Sequence, residues 1–450
     1  MRRRWIVFVP VVLFPVLSAH AQDTLRLTLD DCIRMALEKN PGYLAVTQQT
    51  QVARGRVREA LGSFLPQVNL QGSYTWLEKV FAVEIPPLFS FPGLPAKPIR
   101  TELDFTLDYQ GSVQFTQPIF TSGRLWHSFQ QARLAQQLAV QQVREARQQI
   151  ILQTIRSFYG CLLADEFVRV AEQAVAVAQE HRQTVERQRQ VGMATDFDVL
   201  RARVQEANLL PRLAQARNGQ RVAYLALKTV VGLGPETPVR LIGQFEYRKP
   251  ELPLEEAIRL ALRRRPEVRQ AEIQRDMGEH ALKLVKASDN PSLALVGNYN
   301  FRSNVLTSKL DRWDDYYTVN VALSLPIFDG FTTHARVTQA RAQLTSADLG
   351  LEATRRTVRL EVEQAYLKFQ EAEERLNSQR TNVDQARESV RIAELSYRQG
   401  LITNLDVISA QLALTEAETN WSQALHDCSV ADAEIRKAIG ILGEEGSELP

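Results

Sequence analysis

From Asp104 to Thr116 polar and apolar residues alternate strictly. Phe105, Leu107, Tyr109, Val113 and Phe115 fall on one side, with Gly111 in the same row, and Thr106, Asp108, Gln110, Ser112 and Gln114 fall on the other. The same period of two runs over Gln67–Trp76 and over Tyr317–Leu325. It is less clean over Ser292–Phe301, where Ala294 and Val296 sit on the polar side. This period predicts β-strands. Strands of this length, apolar on one side and small-polar on the other, suit a membrane barrel wall between lipid and a water-filled lumen. Tyr74, Trp76, Phe115, Phe120, Tyr299, Tyr316 and Tyr317 stand near strand ends, where aromatic girdles form. Surface hairpins packed on helices also alternate, and that is the competing reading. Four strands cannot close a barrel, and lipid tolerates no open edge, so a membrane role requires several copies; three give twelve strands.

Elsewhere the period changes to that of a coiled coil. Val358, Val362, Ala365, Phe369, Ala372, Leu376, Val383, Val390, Ala393 and Tyr397 recur at intervals of mostly three and four. Ile151, Ile155, Phe158 and Leu162, then Val168 and Val175, do the same in the first half. The spacing predicts helices over 29–63, 121–190, 196–232, 254–287, 329–398 and 404–440. Each long helix, at about 70 residues, would span roughly 100 Å. The two shorter helices of each half add up to about that length, so stacked end to end they would flank the long one. Pro211, inside 196–232, predicts a kink or offset.

The chain is written twice. Leu29–Leu37 resembles Leu254–Leu262, each followed by a proline, Pro41 or Pro266. Pro118-Ile119-Phe120 recurs as Pro326-Ile327-Phe328, and Gly192–Val199 recurs as Gly400–Val407. Val231-Gly232 recurs as Ile439-Gly440. A shared order of this kind marks a tandem repeat. The units are residues 22–240 and 241–450. The main difference in length is a Pro-rich insert from Leu77 to Leu103, expected to be an extracellular loop.

Composition and motifs add further constraints. Residues 1–21 read as a secretory signal peptide, with Arg2, Arg3 and Arg4 before an apolar run and Ala19-His20-Ala21 at its end. No later stretch is apolar for long enough to form a transmembrane helix. The formal charge of +2 falls near neutrality without those arginines, which argues against a nucleic-acid partner. Cys32, Cys161 and Cys428 are too few and too scattered for a disulfide framework and read as buried thiols. None of the histidines (His20, His127, His181, His280, His334 and His426) has metal-ligand spacing. There is no nucleotide-binding glycine motif and no nucleophile elbow. The chain therefore reads as non-enzymatic, with no cofactor, no catalytic residue and no metal site.

On these residues the chain resembles the TolC family of outer-membrane efflux proteins. The duplicated entry helices, the paired Pro-Ile-Phe strand exits with Gly123 and Gly330, and the two Gly-x-x-Thr turns carry the match from about residue 24 to 440. The resemblance implies an α+β membrane protein: a trimeric twelve-stranded outer-membrane β-barrel, four strands per chain, continued by a periplasmic α-helical coiled-coil barrel. It implies the outer-membrane channel of a tripartite efflux pump or type I secretion system. The implied partners are two further copies, outer-membrane lipid, a periplasmic adaptor and an inner-membrane pump of RND, ABC or MFS type.

By the same resemblance the turns at Gly192, Met193 and Thr195 and at Gly400, Leu401 and Thr403 form the periplasmic tip that docks the adaptor. Asp406 matches a carboxylate lining the constriction, and Asp198 and Tyr397 match members of the network that holds the entrance shut. The sequence departs from the family where a second constriction aspartate and a network arginine are expected: Ser409 and Ile402 stand there. Asp198 and Asp406 also follow Thr195 and Thr403 by three, which predicts capping boxes whether or not a pore exists. A soluble periplasmic coiled-coil adaptor or a structural helical protein is the alternative; neither accounts for the alternating strands. The cargo is not legible.

Overall fold

Asn40 and Arg265 each precede a proline, and each is extended (ψ 118° and 129°). Clash with the proline ring disfavours helical backbone at the preceding residue, while proline itself suits the first helical position. The expected entry helices over 29–63 and 254–287 are therefore each two helices. In this computed structural model, which describes residues 25–76, 81–85, 99–103, 107–248, 252–303, 305–307, 309 and 312–443, the chain begins with β1 (Leu25–Leu27), α1 (Leu29–Lys39) and α2 (Pro41–Gly62). Then come β2 (Gln67–Trp76), β3 (Phe81–Ile85), β4 (Ile99–Leu103) and β5 (Leu107–Phe120). The long α3 (Arg124–Gln190), α4 (Asp196–Val230) and β6 (Val239–Leu241) complete the first repeat. The second repeat comprises α5 (Leu254–Arg264), α6 (Pro266–Lys286), β7 (Ser292–Ser303), β8 (Asp314–Ser324), α7 (Thr332–Arg398) and α8 (Asn404–Ile439). The signal-peptide segment 1–21 lies outside the described residues.

The long strands form one antiparallel sheet in the order β2-β5-β7-β8, so β5 and β7 join the repeats. The alternation falls into rows: Leu70, Val113, Tyr299 and Tyr317 align across the four strands, and Asn69, Gln114, Asn298 and Thr318 form the next row. One face is thus apolar and the other polar. Both edges, β2 and β8, are exposed along their whole length. A single chain does not close the barrel; such edges call for sheet neighbours. Strand β5 runs past the expected end at Thr116 through Pro118. There β2 has ended and only β7 pairs, so the missing N–H costs no ladder bond on the β2 side. The insert is not all loop: Phe81–Ile85 pairs with Ile99–Leu103 in a separate antiparallel ladder. The parallel pair β1–β6 was also not anticipated. Three residues per strand are too few to show a period.

Gly111 has a steric role. A Cβ there would lie 2.0 Å from Cε2 of Phe301, whose ring covers it. Phe301 is itself packed edge-on against Trp313. Gly111→Val is therefore expected to lower the heat resistance of the assembled protein on detergent gels, at about 1–3 kcal/mol of overpacking. Adding Phe301→Ala should restore much of it; equal melting of wild type and Gly111→Val would refute the account.

The end-to-end stacking of short helices along the long ones is present. Asn40 Nδ2 donates to the Val230 carbonyl at 2.9 Å, joining α1–α2 to the end of α4. Gly232 (φ +71°) packs on Lys39, and Gly440 (φ +85°) packs on the backbone of Arg264 and Arg265. These joints border the largest buried clusters, which include Phe158 and Leu227 in one repeat and Phe369 and Ile439 in the other. Pro211 lies inside α4 without ending it, flanked by Leu209 and Leu213, which pack on Val175 and Ala178 of α3.

Candidate functional site

The tip is made by two helix pairs, α3–α4 and α7–α8. Gly192 (φ +79°) and Gly400 (φ +73°) turn the chain where L side chains are strained. Each turn then starts a helix with a threonine cap. Asp198 Oδ2 accepts from the Thr195 amide at 3.0 Å and hydroxyl at 2.6 Å. Asp406 Oδ2 accepts from the Thr403 amide at 2.8 Å and hydroxyl at 2.6 Å. These bonds hold both carboxyls below the ordinary aspartate range, the threonine hydroxyl being the largest cause. Met193 and Leu401 are each 72% exposed, so the turns present apolar side chains to water.

The first pair is laced with charge. Arg182 binds Glu206 at 2.6 Å and Glu186 at 2.9 Å, and Arg203 binds Glu186 at 2.9 Å. The corresponding positions of the second pair hold Val390, Leu414, Glu394 and Gln411. That pair has no copy of the lacing.

The link between pairs is a polar pin that the sequence reading did not single out. Asn404, at the first helical position of α8, is 3% exposed. Its Oδ1 accepts from His181 Nε2 of α3 at 2.5 Å, and its Nδ2 donates to the Asp198 carbonyl at 3.1 Å. Tyr397 packs its ring on His181, with centroids 5.7 Å apart. Burial raises the Tyr397 phenol, and the nearby Asp198 carboxylate adds to this. The structure thus brings Asp198 and Tyr397 together around Asn404. Ile402 and Asp406 lie instead on the wall of a groove between α7 and α8, and Ser409 is exposed. A signal for the pin was present: the repeat counterparts of His181 and Asn404 are Ser389 and Asp196. At these two positions the duplication has diverged.

Away from the tip, His127 and His280 meet at 3.1 Å between their Nδ1 atoms, joining α3 to α6. Burial, then His280 and Lys283, holds His127 below the ordinary histidine range. Among the described residues no group of three or more His, Cys, Asp or Glu side chains is placed to hold a metal ion. All three cysteines are free and buried. No helix among the described residues is long and apolar enough to cross a membrane.

Comparison with known proteins agrees with this architecture. The family model described as outer membrane efflux protein matches residues 32–233 and 257–441, one segment per repeat. The outer membrane protein TolC of Vibrio cholerae is 25% identical over 446 residues, covering 96% of both chains. The alkaline protease secretion protein AprF of Pseudomonas aeruginosa is 24% identical, covering 95% of this chain and 87% of its own. The Campylobacter jejuni CmeC outer membrane channel superposes with a TM-score of 0.78 at 16% identity, over 93% of this chain and 88% of that one. With two matched segments that follow the duplicated plan, the chain belongs to the outer membrane efflux protein family.

Proposed function

We propose that this chain is a passive conduit whose periplasmic end opens and closes at the helix tips. It is an outer-membrane channel component of an efflux or type I secretion system. Residues 1–21 direct export, two further copies complete the barrel, and Leu77–Leu103 faces the exterior. A periplasmic adaptor seats on the exposed turns around Met193 and Leu401, and an inner-membrane pump supplies the energy, with no chemistry in this chain. One observation carries the reading. The alternating sheet and helices of roughly 100 Å are continuous, and they end in two apolar, threonine-capped turns.

Deleting the gene and profiling susceptibility to antibiotics, detergents and metals tests the pathway. Sensitivity unchanged for every class would count against efflux, and a protease or toxin missing from the medium would identify secretion. The gate reading has its own test. Three copies place three Asp406 carboxylates around a narrow throat, and rings of acid select cations. Asp406→Asn is expected to reduce cation selectivity, read as a smaller reversal potential in a salt gradient, and to weaken block by multivalent cations. Unchanged selectivity would remove Asp406 from the throat.

A further inference from the structure

Within one chain α3 packs on α8, with α4 and α7 on the outer sides of the two pairs. The helices therefore run in the order α4, α3, α8, α7. A closed ring must join α7 of one subunit to α4 of the next. The tandem repeat makes that junction the counterpart of the α3–α8 junction seen inside the chain. We infer that the open groove on α7–α8 is the seat for the tip of a second copy's first helix pair, and that the partner subunit's Arg189 supplies its key contact. This rests on the channel reading above and names the contact that completes the gate between subunits.

The groove has about 700 Å³ of space and is lined by Asp384, Glu388, Ser389, Ile392, Ile402 and Asp406 among others. It pairs an apolar floor with an acidic rim. Ser389 is the counterpart of His181, and Asp406 of Asp198. The pieces that fill this place inside the chain are Tyr397 and Asn404, packed against His181. Their counterparts are Arg189 and Asp196. These two are exposed and already paired at 2.8 Å, with side chains 54% and 85% accessible. So a cation and its carboxylate stand on the free side of the first pair, where the repeat demands a partner.

The chemistry has changed in a matched way on both sides. Asn404 accepts from a histidine and donates to a carbonyl. Asp196 cannot donate, so it can take the Ser389 hydroxyl but cannot satisfy the Asp406 carbonyl. Arg189 beside it has five N–H donors. Its guanidinium can bridge Asp196 to the acidic rim, where it meets opposite charge. A neutral pin inside each subunit thus becomes a charged one between subunits. A charge at Ile402 is then not required, because the cation comes from across the seam.

Cysteines at Asp196 and Ser389 test the placement in the full-length trimer. A short bis-maleimide should join them between chains, giving covalent dimers and trimers on reducing detergent gels; the native cysteines are buried. Arg189→Glu should loosen the seam and raise single-channel conductance, and adding Ser389→Lys should bring it back towards wild type. A conducting trimer that gives no interchain product, or a double variant that conducts no less than Arg189→Glu alone, overturns the seam and leaves the channel reading standing. A wild-type chain that forms neither trimer nor pore overturns both.

Discussion

Replacing Asn404 by leucine is expected to raise the mean single-channel conductance several-fold in planar bilayers. Leucine keeps the branched shape but removes both hydrogen bonds, to His181 and to the Asp198 carbonyl. Leaving these half-buried polar partners unsatisfied costs about 1 kcal/mol, and three subunits share one throat. The freed element is the second helix pair. The first is held by Arg182, Glu186, Arg203 and Glu206, whereas the second carries Val390, Glu394, Gln411 and Leu414 there. A cavity lined by residues of both pairs, among them Val177, Leu209, Val390 and Leu414, lies about one helix turn from His181. His181→Phe should act in the same direction, because it removes the donor and keeps the ring stack on Tyr397. The two changes together should add little to either alone, since they break one connection. Cells carrying the variants should also become sensitive to vancomycin, which is too large for ordinary porins. Conductance and sensitivity equal to wild type in both single variants would show that the pin does not hold the entrance.

The scaffold was legible because its causes are local and periodic. Lipid on one side and water on the other force alternation on Gln67–Trp76 and Leu107–Thr116, and close helix contact forces the seam from Val358 to Tyr397. Five of the repeat's signature positions, Gly192, Thr195, Asp198, Val199 and Gly232, reappear unchanged and in order as Gly400, Thr403, Asp406, Val407 and Gly440, so the plan could be read twice. The breaks at Asn40 and Arg265 were not read, although a proline follows each, because the long amphipathic pattern on both sides of each proline masks the stop. The pin was not legible from any one segment. His181 and Asn404 are 223 residues apart, and only the packing of one repeat on the other brings them together. What the sequence does show there is a mismatch between copies: Asn404 against Asp196, and His181 against Ser389. In a duplicated chain the positions that differ are where the two copies meet different neighbours. The gate is the clearest case, and Ile402 and Ser409 read differently once those neighbours are in view.

Arg265→Ala is expected to cost about 1.5–3 kcal/mol, because it strips the buried cation from an ion cluster whose carboxylates are partly exposed. Arg265 is 6% exposed. Its guanidinium grips Glu267 through two nitrogens, at 2.8 and 3.2 Å, and also binds Glu361 of α7. It sits at the joint between α5 and α6, against which Gly440 closes the end of α8, so with Glu361 of α7 four helices of the second repeat converge on one residue. The first repeat uses neutral Asn40 at this joint, and no ion cluster is needed there. Burial by itself would raise the Glu267 carboxyl, but Arg265 more than offsets it and the group ends below the ordinary glutamate range. A carboxyl depressed in the folded state stabilises it fully above the unfolded pKa, and that contribution is lost as pH falls through the folded value. The penalty of Arg265→Ala should therefore be large at neutral pH and shrink as pH falls into and then below the ordinary glutamate range, because Glu267, left with burial alone, takes up a proton above that range in the variant and no longer needs its partner. Thermal melting of the detergent-solubilised trimer at neutral and acid pH measures both quantities. The paired change Arg265→Met with Glu267→Leu should melt closer to wild type than Arg265→Ala does, because it removes the more buried of the two carboxylates that Arg265 holds. If Arg265→Ala and wild type melt together at neutral pH, the cluster does not hold the joint.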